Sequence, residues 1–217
     1  MVPLLMTPGF ANRTDAAHQL AVRLHHLRQA PRGVVLAVPR GGVPLGAIVA
    51  KALGWPLEVV LAKKIGHPAH PEYAVGAVSL ESVVLTPGLV LPAGYLAEQV
   101  ARIRQRLQQR HRAYVGNRPP LVLTGRTVVL VDDGVATGHT LLATVELVRQ
   151  QSPARVVVAV PVSSLQALGR LQAAADEVVC LLAPPNFQAV GQFYQDFTQV
   201  TDEEVVAVLH AAEHPPA

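Results

Sequence analysis

The chain has 217 residues, of which 50% are hydrophobic and only 15% charged, so it carries ample material for a buried core and is not a disordered segment. Its length favours one embellished domain over two, and residues 1–217 are expected to form a single unit. Eighteen Lys+Arg against fifteen Asp+Glu leave a formal charge of +3, a thin surplus that does not by itself call for nucleic acid. A single cysteine, Cys180, excludes an internal disulfide and a four-thiolate zinc site.

In chain order, residues 1–8 have no basic region and no apolar stretch suited to a secretory signal, and no run of 18 uninterrupted apolar residues follows anywhere. A cytoplasmic protein with no membrane segment is the expectation. Asn12 or Thr14 can cap a first helix whose apolar side is Ala17, Leu20, Ala21, Leu24 and Leu27, stopped by Pro31 and Gly33. Short Val-rich runs then alternate with helical stretches: 34–38, 57–62, 128–131, 156–160 and 178–182 read as strands, and 43–53, 139–151 and 164–175 as helices. Strands apolar on both faces that alternate with helices imply an α/β fold with a parallel sheet covered on both sides.

The alternation breaks between Ala62 and Leu121. Lys63-Lys64-Ile65-Gly66-His67-Pro68-Ala69-His70-Pro71-Glu72-Tyr73 reads as a long loop opened by the two lysines that end the second core strand. Uncompensated ammonium groups are costly inside a sheet, so Lys63 and Lys64 point to phosphate; a solvated strand end is the bland alternative. His67, His70 and Glu72 suit a closing lid or plain surface better than a metal site, because mobile loops seldom pre-orient ligands. A helix follows from residue 92 to about 114, with Leu96, Val100, Ile103 and Leu107 inward and Arg102, Arg106 and Arg110 on another face. That face is either simply solvated or meets a polyanion or a second subunit. After the last core strand, residues 183–197 are rich in aromatics and either plug the core or stack on something flat. Thr201 and Glu204 form a capping box that starts a final helix.

The most specific run is Val128-Val129-Leu130-Val131-Asp132-Asp133-Gly134-Val135-Ala136-Thr137-Gly138-His139-Thr140. A buried strand delivers two carboxylates to its C-terminal edge, where ligands of open parallel sheets bind, and a Gly/Thr loop then opens a helix. The N–H groups of that helix start form an anion cradle. Acids beside such a cradle suit a ligand with both hydroxyls and a phosphate, and a ribose 5-phosphate unit fits. Pro39-Arg40-Gly41-Gly42 follows the first core strand and brings a guanidinium and two small residues to the same edge, although an ordinary strand-to-helix turn reads the same way.

These residues closely resemble the phosphoribosyl diphosphate (PRPP) signature of type I phosphoribosyltransferases. The resemblance covers roughly 34–197 and is most similar to stand-alone bacterial phosphoribosyltransferases of uncertain acceptor. It implies a central parallel sheet of about five strands flanked by helices, an inserted lid and helix over about 63–120, and a C-terminal hood over about 183–217. It implies that Asp132 and Asp133 engage the ribose hydroxyls directly or through Mg²⁺-bound water, and that Ala136, Thr137, Gly138, His139 and Thr140 hold the 5-phosphate. Arg40, Gly41, Gly42, Lys63 and Lys64 would take the diphosphate, after a peptide that is commonly cis in the family. Catalysis would fall to Asp132, Asp133, Arg40 and Lys64.

The reaction so implied is displacement of diphosphate from C1 of PRPP by a small nitrogenous acceptor, possibly a nucleobase, with Mg²⁺ as cofactor. In the hood, Phe187, Phe193 or Tyr194 would stack on an acceptor ring and Val190-Gly191 would bind its edge. One departure matters: relatives acting on 6-oxopurines carry an aspartate at the position of Ala136, so transfer by that route is disfavoured. Two other classes stay open: a PRPP- or nucleotide-sensing regulator gripping nucleic acid through Arg102, Arg106 and Arg110, and a hydrolase using water as acceptor. Nucleic acid is the weaker expectation because aromatics are not interleaved with the arginines. A homodimer is compatible with either class, and the symmetry is not fixed.

Overall fold

The computed structural model describes residues 9–70, 73–89 and 91–213. The expectations resting on residues 1–8 and on Glu72 lie outside the described residues.

The helix read at the start is α1 (Arg13–Arg23), capped by Asn12, whose side chain accepts from the Asp15 amide. It is followed by β1 (Val34–Ala37), α2 (Gly42–Leu53) and β2 (Leu57–Val59). An insertion then supplies β3 (Ala62–Gly66), β4 (Ala74–Ser79), β5 (Val83–Leu85) and α3 (Tyr95–Val115). The alternation resumes with β6 (Thr127–Val131), α4 (His139–Arg149), β7 (Arg155–Val162), α5 (Leu165–Ala174) and β8 (Glu177–Leu182), and the chain closes on α6 (Asp202–Glu213).

The five expected strands form one parallel sheet in the order β2-β1-β6-β7-β8. Its two faces are sorted with period two, as a doubly covered sheet requires. Val35, Ala37, Val129, Val131, Val157 and Ala159 join the core shared with α1, α2 and α6, whereas Val34, Leu36, Val128, Leu130, Val156 and Val158 join the one under α4 and α5. β6 is the middle strand and is buried along its whole length, so whatever follows Val131 emerges at the centre of the sheet's C-terminal edge.

The insertion differs from the expectation of a long loop. The second core strand stops at Val59, and the chain turns into a separate antiparallel sheet, β3-β4-β5, that packs on α3 and α4. Lys63 and Lys64 are exposed residues of β3, not the end of the second core strand. The alternation that would have announced β3 is masked because both lysines face solvent beside the buried Ile65. His67, His70 and Tyr73 cluster where β3 turns toward β4, the two imidazoles stacked with centroids 5.7 Å apart.

The arginine stripe of α3 is not a uniform face. Arg110 donates to the Tyr114 hydroxyl (2.9 Å) and to Asp202 (3.3 Å), and Tyr114 also bonds Asp202, tying α3 to the start of α6. Arg102 bonds Gln99 on its own helix. The capping box of α6 forms as read: Thr201 N donates to Glu204 Oε2 (2.7 Å) and Glu204 N to Thr201 Oγ1 (3.2 Å).

Candidate active site

Asp132 and Asp133 leave β6 at the centre of the sheet edge. The Asp133 amide donates to Asp132 Oδ1 (2.9 Å), which fixes the first carboxylate against the turn. Burial, and then the neighbouring Asp133 charge, push the Asp132 carboxyl well above the usual carboxylate range. Burial also raises Asp133, but there two hydrogen bonds and the positive charge of Arg13 oppose it. Of the two acids, Asp133 therefore holds its charge more readily.

The glycine turn expected to hold a diphosphate lies directly against this pair. A Cβ on Gly41 would collide with the Asp133 carboxylate, and one on Gly42 would press on the carbonyl of Val131, 2.5 Å away. Both positions are glycine because the turn and the acidic loop share one space. The Pro39–Arg40 peptide is cis. Arg40 lies within electrostatic reach of Asp202 and Glu203 in the first turn of α6; the Tyr114 hydrogen bond holds Asp202 low and hydrogen bonds at the helix start hold Glu203 low, with the Arg40 charge a lesser contribution to each.

On the other side of the pair, residues 134–138 lead into α4. Gly138 starts the helix at φ 77° with no side-chain cap, so the first-turn N–H groups are open for an anion. Thr137, His139 and Thr140 border this helix start, with Thr137 and Thr140 exposed. The loop is braced from beneath: Ser164 Oγ donates to the Ala136 carbonyl (2.6 Å), Ser164 N to the Val135 carbonyl (3.0 Å), and Val135 N to Val162 O (2.9 Å). Arg170 Nη1 lies 3.2 Å from His139 Nε2 and adds a cation beside the helix start.

The hood folds over the acidic loop. Val190 packs on Gly134 so closely that a Cβ there would strike it. Phe193 and Tyr194 are buried, at 4% and 5% exposure. The Tyr194 ring sits between Phe10 and Phe197, with centroids 5.3 and 4.9 Å away, and Phe193 stacks with Phe187 at 5.5 Å. For Phe193 and Tyr194 this is the core plug rather than the stacking platform: one ring is packed on Phe187 and the other on Phe10 and Phe197. Phe187, Val190 and Gly191 remain partly exposed.

The structure thus gathers Arg40, Gly41, Gly42, Asp132, Asp133 and the 136–140 loop at one sheet edge. Lys63 and Lys64 lie in β3 of the second sheet. Residues 11–198 match the phosphoribosyl transferase domain family.

The chain belongs to the phosphoribosyl transferase family.

It is 42% identical over 208 residues to the protein Rv0571c of Mycobacterium tuberculosis, provisionally named a phosphoribosyl transferase, covering 94% of this chain and 47% of that protein. The chain therefore spans about half the length of that relative. Among solved structures it resembles TT1426 from Thermus thermophilus at 47% identity and a TM-score of 0.84, covering 92% of this chain and 97% of that one.

Two residues at this edge had no signal in the sequence. Arg13 donates to Asp133 Oδ2 through Nε (3.0 Å) and Nη2 (2.8 Å) across 120 positions of sequence, and Arg170 reaches the loop from α5. Both contacts are made by tertiary structure alone, and no local spacing announces them. Among the described residues no group of three or more His, Cys, Asp or Glu could hold a metal ion, and no helix is long and apolar enough to cross a membrane.

Proposed function

We propose that this chain transfers the phosphoribosyl group of PRPP to a small nitrogenous acceptor and releases diphosphate. The observation that carries the reading is one juxtaposition. An acidic pair ends the central strand, with an uncapped helix start on one side and the Gly41-Gly42 turn in contact on the other.

Each part matches one part of such a ligand. Asp132 and Asp133 accept from the ribose diol and oppose the positive charge that grows at C1 as the bond to diphosphate stretches. The N–H groups from Gly138 onward, with Thr137, Thr140 and His139, take the 5-phosphate, while Ala136 contributes only backbone. The backbone of Gly41 and Gly42 and the guanidinium of Arg40 take the diphosphate. Lys63 and Lys64, from β3 of the second sheet, would join them there. Phe187, Val190 and Gly191 border the acceptor, and Ala136 offers it no base.

The residues present fit Mg²⁺. That ion keeps several waters and is usually held by substrate phosphates plus one or two carboxylates. Asp132 and Asp133 are such a pair, without the third ligand of a closed cage among the described residues. Bound with PRPP, the ion would neutralise charge on the departing diphosphate.

Calorimetry with PRPP and Mg²⁺ tests the reading, followed by a screen of free bases, amines and water as acceptors with diphosphate release as the signal. Saturable PRPP binding and acceptor-dependent release are expected. Absence of binding to PRPP and to ribose 5-phosphate would remove it. Release without any added acceptor would turn it into a hydrolase.

A further inference from the structure

Arg13 is the first residue of α1, and every part of its guanidinium is used. Nε and Nη2 both donate to Asp133 Oδ2, Nη1 donates to the Thr198 carbonyl (2.6 Å), and its flat face lies 4.0 Å over the Phe197 ring. The side chain is 13% exposed and that of Asp133 15%. A solvated surface pair would be worth little. This one is shielded, doubly bonded and stacked, which is the geometry in which arginine outperforms lysine.

The backbone beneath Arg13 is equally committed. Phe10 N donates to Phe193 O (3.0 Å), Gln195 N to Phe10 O (2.9 Å) and Asp196 N to Ala11 O (3.0 Å). The segment just before α1 is therefore zipped to the hood, and Arg13 cannot swing away without opening that seam. Both of its bonds to the acid fall on a single oxygen, and among the described residues no second side chain donates to the Asp133 carboxylate.

We propose that Arg13 is a positioning residue of the phosphoribosyl site: it pins Oδ2 of Asp133 so that Oδ1 meets the ribose diol, and it locks that carboxylate to the hood. The proposal rests on the phosphoribosyl reading above for the identity of the ligand, but not for the role of the clamp. Around Asp133 stand Asp132 from the same loop, Arg13 from α1 and Tyr194 from the hood, which bonds its backbone carbonyl.

The test uses the full chain and two variants, Arg13→Gln and Arg13→Lys. Asp133→Asn and the double variant Arg13→Gln/Asp133→Asn are made beside them, and each is read by Tm and by PRPP·Mg²⁺ affinity. In Arg13→Gln PRPP affinity is expected to fall about tenfold, and Arg13→Lys, which keeps the charge but not the fork, restores only part of it. Because Arg13 acts through the Asp133 carboxylate, Arg13→Gln is expected to cost little further affinity once residue 133 is asparagine. A clamp that merely braces the fold would lower the Tm of Arg13→Gln at wild-type PRPP affinity, or lower affinity equally in both backgrounds, and either result overturns the proposal. Should wild-type protein bind no PRPP, the phosphoribosyl reading falls, while the coupling of the two substitutions in Tm still decides whether Arg13 acts on Asp133.

Discussion

The hydroxyl of Tyr194 donates a 2.6 Å hydrogen bond to the backbone carbonyl of Asp133. The hood thereby holds the main chain of the residue whose side chain Arg13 holds. Asp133 is fixed from both ends by elements far away in sequence, and the acidic loop is not free to follow its ligand. Burial pushes the Tyr194 phenol far above its ordinary pKa, so this donor keeps its proton across the working pH range.

Tyr194→Phe keeps the ring between Phe10 and Phe197 and removes only that donor. The Asp133 carbonyl then loses its side-chain partner in a shielded place, at a cost of about 1–3 kcal/mol. Denaturant unfolding should show the loss as a lower midpoint at unchanged m value, and PRPP affinity should fall with it. An unchanged midpoint would mean that water replaces the hydroxyl and that the hood does not steady the loop.

Gly41→Ala places a methyl against the Asp133 carboxylate. The acid is anchored by Arg13, so the strain falls on the glycine turn, at about 1–3 kcal/mol as for other overpacked sites. PRPP affinity should drop by about tenfold or more, because the displaced backbone is the surface offered to diphosphate. Gly169→Ala is the control. It sits inside α5 with nothing within 4 Å of a new Cβ and should stabilise the chain by about 0.5–1 kcal/mol. Equal PRPP affinity in the two variants would separate the turn from the ligand.

The parts of this architecture that could be read in the sequence are those whose cause is local. β1, β6 and β7 are valine-rich runs buried on both sides, and a strand with no solvent face has few other ways to look. The acidic pair follows β6 at once, and the Thr201 to Glu204 box closes over three residues. The second sheet was hidden for the opposite reason. Its first strand exposes consecutive lysines, its third is three residues long, and its alternation is too short and too broken to separate from a Gly/Pro/His loop. Arg13 and Arg170 were hidden by distance. An arginine in the first turn of a helix is ordinary, and nothing near it in sequence points to a carboxylate 120 positions away.

Arg170→Ala removes the cation beside His139 at the start of α4. If that helix start receives the 5-phosphate, the variant should bind PRPP about fivefold more weakly at low salt, and the difference should shrink as salt screens the exposed charge. Calorimetry at two ionic strengths checks this. A loss that persists undiminished at high salt would assign Arg170 to loop packing instead of to phosphate.

Asp132→Asn should make the chain more stable and less functional. In the folded state the Asp132 carboxyl is raised well above 3.8 by burial and by Asp133. As pH climbs from about 4 toward that raised value, the unfolded chain gives up this proton while the folded chain keeps it, so the folded state binds more protons and stability falls through the window. Above the window the cost stays at its full size. Asparagine can still accept the Asp133 amide bond through Oδ1 but carries no charge to bury or to repel its neighbour. The Tm advantage of the variant should therefore be absent near the low end of that window, grow with pH and level off, at roughly 2–4 °C for each kcal/mol relieved. PRPP binding should be largely lost above that window, where wild-type Asp132 is ionised and a carboxylate that accepts from the diol has become an amide. A variant less stable than wild type at mildly basic pH would show that the acid pair is not held at a cost to the fold, and its place as a strained functional pair would go with it.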